Sequence, residues 1–127
     1  MKIEFHIKDV VLTASQKSMI EKKLQKLKRY VKDETLILDV YLSDETSVEK
    51  GGVDQSVELS ATFSNERFFV REVDSRLLRA FAFAYKKLER NLYDFHEKQL
   101  DRTQKGDNHF DRFLKAIRVK KSYDEEL

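Results

Sequence analysis

The chain has 127 residues, of which 40% are apolar and 38% charged, with a formal net charge of only +2. That length fits one domain with a modest core, and that charge content makes the surface almost wholly ionic. Cysteine is absent, which excludes a disulfide framework, a thiolate metal centre and a cysteine nucleophile, and fits a reducing compartment. No apolar run approaches the roughly 18 residues of a bilayer span. Met1-Lys2-Ile3-Glu4 enters an alternating pattern instead of a signal peptide, so a cytoplasmic protein without membrane contact is expected.

Ile3, Phe5 and Ile7 alternate with Lys2, Glu4, His6 and Lys8, the period of a half-buried first strand. Thr13-Ala14-Ser15-Gln16 has the form of a capping box, a hydroxyl at the cap answered by an amide three residues on. It opens a helix from Ala14 to about Val31. On this helix Ile20, Leu24, Leu27 and Val31 share one narrow stripe, while Lys22, Lys26 and Arg29 fall opposite. Between Gln16 and Arg29 six basic residues stand against Glu21 alone, a local excess larger than the charge of the whole chain.

Thr35 to Ser43 reads as a second strand with Leu36, Leu38, Val40 and Leu42 on one side. Asp44 to Asp54, containing Gly51-Gly52, is its loop. Val57, Leu59, Ala61 and Phe63 alternate in a third strand, Ser64-Asn65-Glu66 turns, and Arg67 to Val73 supplies a fourth. A long helix follows, with Asp74 or Ser75 as N-cap and an end near Arg102. Its core stripe is Leu77, Phe81, Ala84, Tyr85, Leu88, Leu92 and Phe95. Arg76, Arg79, Lys86, Lys87 and Arg90 gather on the other face, with Phe83 among them.

The order β-α-β-β-β-α predicts an α+β fold, a four-stranded mixed sheet with two helices packed on one face. The first two strands are joined by a crossover and so are parallel; the third and fourth pair as a hairpin. Residues 1–103 form the domain. Gln104 to Asp107 interrupts the pattern, and 104–127 is expected to be a tail with a short amphipathic helix carrying Phe110, Phe113, Leu114 and Ile117. From Asp33 to Asp74 eleven acidic residues face three basic ones, whereas Ser75 to Arg102 holds seven basic and four acidic residues. Positive helices over a negative sheet region would orient the molecule on a polyanion.

The candidate site is therefore a phosphate-binding platform made of Lys22, Lys23, Lys26 and Arg29 on the first helix and Arg79, Lys86, Lys87 and Arg90 on the second. Phe83 is placed to stack on an unpaired base, or else to pack on its neighbours or the tail. His6, His96 and His109 show no ligand spacing, and the acidic loop of Asp44, Glu45 and Glu49 lacks the pattern of a calcium loop. Lys50-Gly51-Gly52 lacks that of a phosphate loop. No metal site, no cofactor and no catalytic constellation is expected.

Two phrases, Ile20-Glu-Lys-Lys-Leu-Gln-Lys-Leu-Lys-Arg-Tyr30 and Lys87-Leu-Glu-Arg-Asn-Leu92, placed at these points of this element order, resemble the bacterial ribosome hibernation promoting factors, also called ribosome-associated inhibitors. The resemblance covers about residues 1–102. It implies a factor that sits on ribosomal RNA in the decoding groove of the small ribosomal subunit and blocks tRNA and mRNA by occlusion. Such a factor is not an enzyme, takes no small-molecule substrate, and is monomeric off the ribosome. The family's basic positions map onto Lys23, Lys26, Arg29, Lys87 and Arg90; Lys22, Arg79 and Lys86 come from the helical faces alone. The chain departs from the family pattern at Tyr93-Asp94-Phe95-His96-Glu97, where a basic run is usual, and at Arg76-Leu77-Leu78. With only Gln104 to Leu127 beyond the domain, it resembles the short form. Two alternatives stay open: a general RNA-binding module, or a protein-interaction module that uses the tail stripe.

Overall fold

The computed structural model describes residues 1–46 and 54–122, with side chains described through Asp101. In chain order it contains β1 (Lys2–Lys8), α1 (Ala14–Gln25), a 3-10 turn (Lys26–Arg29), β2 (Ile37–Asp44), β3 (Gln55–Phe63), β4 (Glu66–Asp74) and α2 (Leu77–Ser122). The chain divides into two compact units, Met1–Tyr93 and Asp94–Leu127. No helix among the described residues is long and apolar enough to cross a membrane.

The sheet order is β1-β2-β3-β4, with β1 parallel to β2 and the other two pairs antiparallel. Because side chains alternate across a strand, register decides which residues share a face. Phe5 lies opposite Val40, Val40 opposite Leu59 and Leu59 opposite Val70, and this face carries the core. Leu38, Val40, Leu42, Val57, Leu59 and Ala61 are buried there beneath Ile20, Leu24 and Leu27 of the first helical segment and Ala80, Phe81, Ala84, Leu88 and Leu92 of α2. The expected α+β architecture, with both helices on one face, is the one observed.

The other face of the sheet is mixed, with Ile37, Phe69 and Val73 exposed among its polar residues. His6, Tyr41, Glu58 and Arg71 form one row across all four strands. The His6 ring stacks on Tyr41 with centroids 4.4 Å apart, and Arg71 bonds both Glu58 at 3.2 Å and Glu45 at 2.7 Å.

Local chemistry fixes the element ends. The Thr13 hydroxyl accepts the Gln16 N–H at 3.1 Å and the Gln16 amide oxygen accepts the Thr13 N–H at 3.0 Å, completing the expected capping box. The helix then tightens into the 3-10 turn, where the Tyr30 N–H reaches the Leu27 carbonyl at 3.0 Å. Asp74 accepts the Arg76 N–H at 3.0 Å just before α2 begins. Asp33 accepts from the Thr35 hydroxyl, the Ser64 hydroxyl and the Thr35 N–H. These bonds, the Thr35 hydroxyl first, hold its carboxyl below its ordinary pKa and tie the entrance of β2 to the β3–β4 turn, where Ser64 has φ 50°.

One element runs longer than the pattern predicts. Helix α2 passes through Gln104–Asp107 without a break and continues to Ser122. A lone Gly106 costs about 1 kcal/mol in a helix, and the chain contains no proline to remove a helical hydrogen bond. Polar spacing alone does not end a helix. The stripe Phe110, Phe113, Leu114 and Ile117 falls outside the residues whose side chains are described, and 47–53 of the Asp44–Asp54 loop lies outside the described residues.

Candidate nucleic-acid interface

Turning Ile20, Leu24 and Leu27 inward forces the remaining positions of the first helical segment outward. Lys22, Lys23, Lys26, Lys28 and Arg29 are all exposed. One of them reaches the second helix and another lies on a ring of its own segment. Lys23 Nζ lies 5.0 Å from the centre of the Tyr85 ring of α2, and Arg29 lies 5.7 Å from the Tyr30 ring while its Nε donates to the Lys26 carbonyl at 3.2 Å. Tyr30 in turn meets Tyr93 of α2 edge to face at 5.8 Å. The seam between the helices is aromatic, with cations held over it by attraction to the ring faces. Tyr85 is buried and its hydroxyl lies 3.5 Å from the Glu89 carboxylate. Burial first, and then the charge of Glu89, pushes its pKa up to about 12, so it remains a neutral phenol in the seam.

On α2, Arg79, Lys86, Lys87 and Arg90 are exposed. Two of them are held by acids of β4: Lys87 pairs with Glu72, and Arg79 Nε pairs with Asp74 at 3.2 Å while its guanidinium lies 6.0 Å from the Phe83 ring centre. Lys22, Lys26, Lys86 and Arg90 form no ion pair with another described residue. The eight residues picked from the sequence thus share the helix layer but differ in readiness. Four have no ion-pair partner among the described residues, Lys23 and Arg29 lie on aromatic rings, and Lys87 and Arg79 are tied to the edge strand.

Sequence reasoning missed the roles of Tyr30, Tyr85 and Tyr93, and it missed Glu72 and Asp74 as partners of the cations. Alternation along β4 carried a signal: Glu72 and Asp74 share the strand side of Val70, which opposes buried Leu59. They therefore face the helices.

The far face of the sheet brings together a different set. Glu4, His6 and Asp39 place one donor atom each within 4.8 Å of one another, because the parallel register sets Glu4 beside Asp39. The histidine spacing read along the chain gives no hint of this. Each donor has a partner within the protein: Lys2 lies 3.0 Å from Glu4, an ion pair, and the His6 ring is hydrogen-bonded to Asp39 at 2.9 Å. What the helix layer can do chemically is bind: its ammonium and guanidinium groups could donate to phosphate oxygens, and its exposed rings could offer stacking surfaces.

The chain is similar in structure to two proteins of related description. The crystal structure of the Thermus thermophilus Protein Y N-terminal domain superposes with a TM-score of 0.62 and 27% identity, covering 75% of this chain and 99% of that one. A ribosomal subunit interface protein from Coxiella burnetii gives a TM-score of 0.56 at 12% identity over 75% of this chain and 97% of that one, a likeness of fold. No curated protein matches the chain. The model of the Sigma 54 modulation protein / S30EA ribosomal protein family matches residues 3–100, which takes in all four strands, the first helix and the basic part of the second; the chain belongs to that family.

Proposed function

We propose that this protein is a ribosome-binding inhibitor of translation. It lies on ribosomal RNA in the decoding groove of the small subunit, through the basic faces of its two helices, and excludes tRNA and mRNA. The carrying observation is the exposed cationic layer in which Lys22, Lys26, Lys86 and Arg90 have no ion-pair partner among the described residues, on a fold whose opposite sheet face carries the carboxylates of Glu4, Asp39 and Glu58. Family membership supports the ribosome as partner, as does the likeness to Protein Y. The mechanism needs no turnover: inhibition follows from occupancy, so it is set by mass action and weakened by salt. The factor acts in the cytoplasm, where ribosomes hibernate under stress, as a monomer with no cofactor. Residues 1–103 form the ribosome-binding domain, and 104–127 is an accessory segment.

The test is a translation assay with purified components. Inhibition should saturate near one protein per ribosome and be relieved by excess tRNA and mRNA. Inhibition at ratios far below one per ribosome would indicate a catalytic inactivator.

A further inference from the structure

Phe83 is the large apolar side chain on the cationic flank of α2 that the core does not use. It is 43% exposed, although its helix neighbours Ala80, Ala84 and Leu88 are essentially inaccessible. Burying a Phe side chain is worth roughly 1.5–3 kcal/mol, so an exposed one beside a complete core is apolar surface that the core of the described residues leaves open. Its surroundings are ordered. Arg79, one helical turn earlier, is held by Asp74 at 3.2 Å and keeps its guanidinium 6.0 Å from the ring centre. Lys86 and Lys87 stand three and four positions on, on the neighbouring surface of the helix, and Arg90 follows at the next turn.

We propose that Phe83 is a stacking site for an unpaired base of the bound RNA. The inference rests on the proposed function and specifies one contact within it. A base has a planar face of about the size of the phenyl ring, and stacking of this kind is indifferent to base identity. Arg79 restricts the ring before any ligand arrives, which lowers the entropy lost on binding. Lys86 and Arg90, both without an ion-pair partner among the described residues, are placed to receive the phosphates on either side of the stacked nucleotide.

Charge decides against other occupants. A second copy of this chain docking by the same surface would set Arg76, Arg79, Lys87 and Arg90 against their own copies, which is repulsive. A lipid surface needs a continuous apolar helix face. The apolar face of α2 between Ala80 and Leu92 is already buried in the core, leaving one ring among cations.

The experiment measures binding of the full chain to purified small ribosomal subunits. Phe83→Ala should weaken binding by roughly 5- to 150-fold, the equivalent of about 1–3 kcal/mol for one stacked base, with the salt dependence unchanged and the melting temperature lowered by no more than about 5 °C through loss of the Arg79–ring attraction. Phe83→Leu should be as weak as Ala, and Phe83→Tyr should bind as the parent does. Because the chain has no tryptophan, Phe83→Trp adds a single indole whose emission should be quenched on binding. Parental affinity in the Ala or Leu variant, or an unquenched indole in a bound complex, overturns the stacking site and leaves the proposed function standing. A fall in melting temperature of about 10 °C or more in the Ala variant shows a packing role and also overturns it. Failure of the parent itself to bind small subunits overturns both.

Discussion

Replacing Lys26 and Arg29 by glutamate separates the charge of the first helix from its packing. Lys26 is exposed without an ion-pair partner among the described residues, and Arg29 is exposed over Tyr30. Between them Leu27 is fully buried, so the double variant leaves the core contact of the 3-10 turn in place. If the parent neutralises about six phosphates, log affinity should fall with log salt at a slope of roughly −4 to −5, at 0.7 to 0.9 per phosphate. Removing two contacts lowers that slope by about 1.4 to 1.8. At about 0.15 M salt each contact contributes roughly 4- to 5-fold, so neutralising both residues with alanine weakens binding about 20-fold. The glutamates add repulsion of similar size, and the loss grows to about 100-fold or more. Stability changes little: the arginine–ring attraction is worth about 0.5–1 kcal/mol at an exposed site, a fall in melting temperature of about 5 °C. Sedimentation of the variant with small subunits across a salt series gives slope and affinity together. An unchanged slope refutes phosphate contact by these residues, and an unfolded variant refutes the assignment of the helix faces.

Thr13→Ala removes the reciprocal cap of α1 and should cost about 1 kcal/mol, visible as a melting temperature lower by roughly 5 °C; Thr13→Ser should restore it, and equal losses in both would show that the hydroxyl is not the cause. Asp33 has a folded-state pKa below its ordinary 3.8, so its stabilising contribution is present in full above that value and is lost as pH falls through the lowered pKa. Ser64→Ala should move the Asp33 carboxyl titration upward toward 3.8 in a carbon-detected NMR titration, and no movement would deny the loop-to-turn bond. Truncation after Thr103 should leave a folded chain that still binds small subunits, since the compact unit Met1–Tyr93 is retained whole; a melting temperature lower by about 10 °C or more would make the removed segment part of the core.

Elements with a strong period were legible from the chain alone. Ile20, Leu24 and Leu27 announced the inner stripe of α1 by their spacing, and Thr13 and Gln16 announced its start, because both signals are local. The parallel pairing of β1 with β2 followed from the crossover between them. What the chain could not show depends on register and on helix-to-strand contact. Glu72 and Lys87 are fifteen positions apart, and only the packing of α2 over the β4 side of the sheet makes them partners. The same holds for Lys23 and Tyr85. Glu4 and Asp39 meet only because β1 and β2 pair at one particular offset. The course of α2 beyond Arg102 was misread for a different reason. Loss of an apolar period marks loss of a burial partner, whereas the backbone hydrogen bonds of a helix persist through polar residues in a chain without proline.

The pairing of Lys87 with Glu72 and of Arg79 with Asp74 gives the positive surface a boundary. Along β4 a line of carboxylates runs beside the helix layer, so an approaching phosphate chain meets attraction over the α1–α2 seam and repulsion at its outer margin. A polyanion on such a surface has a defined lateral position before any specific contact forms. The two tethered cations sit at that margin, where an RNA phosphate would have to displace a carboxylate already in place. On the proposed function they would discriminate between a strand laid in the middle of the track and one that has strayed over its edge.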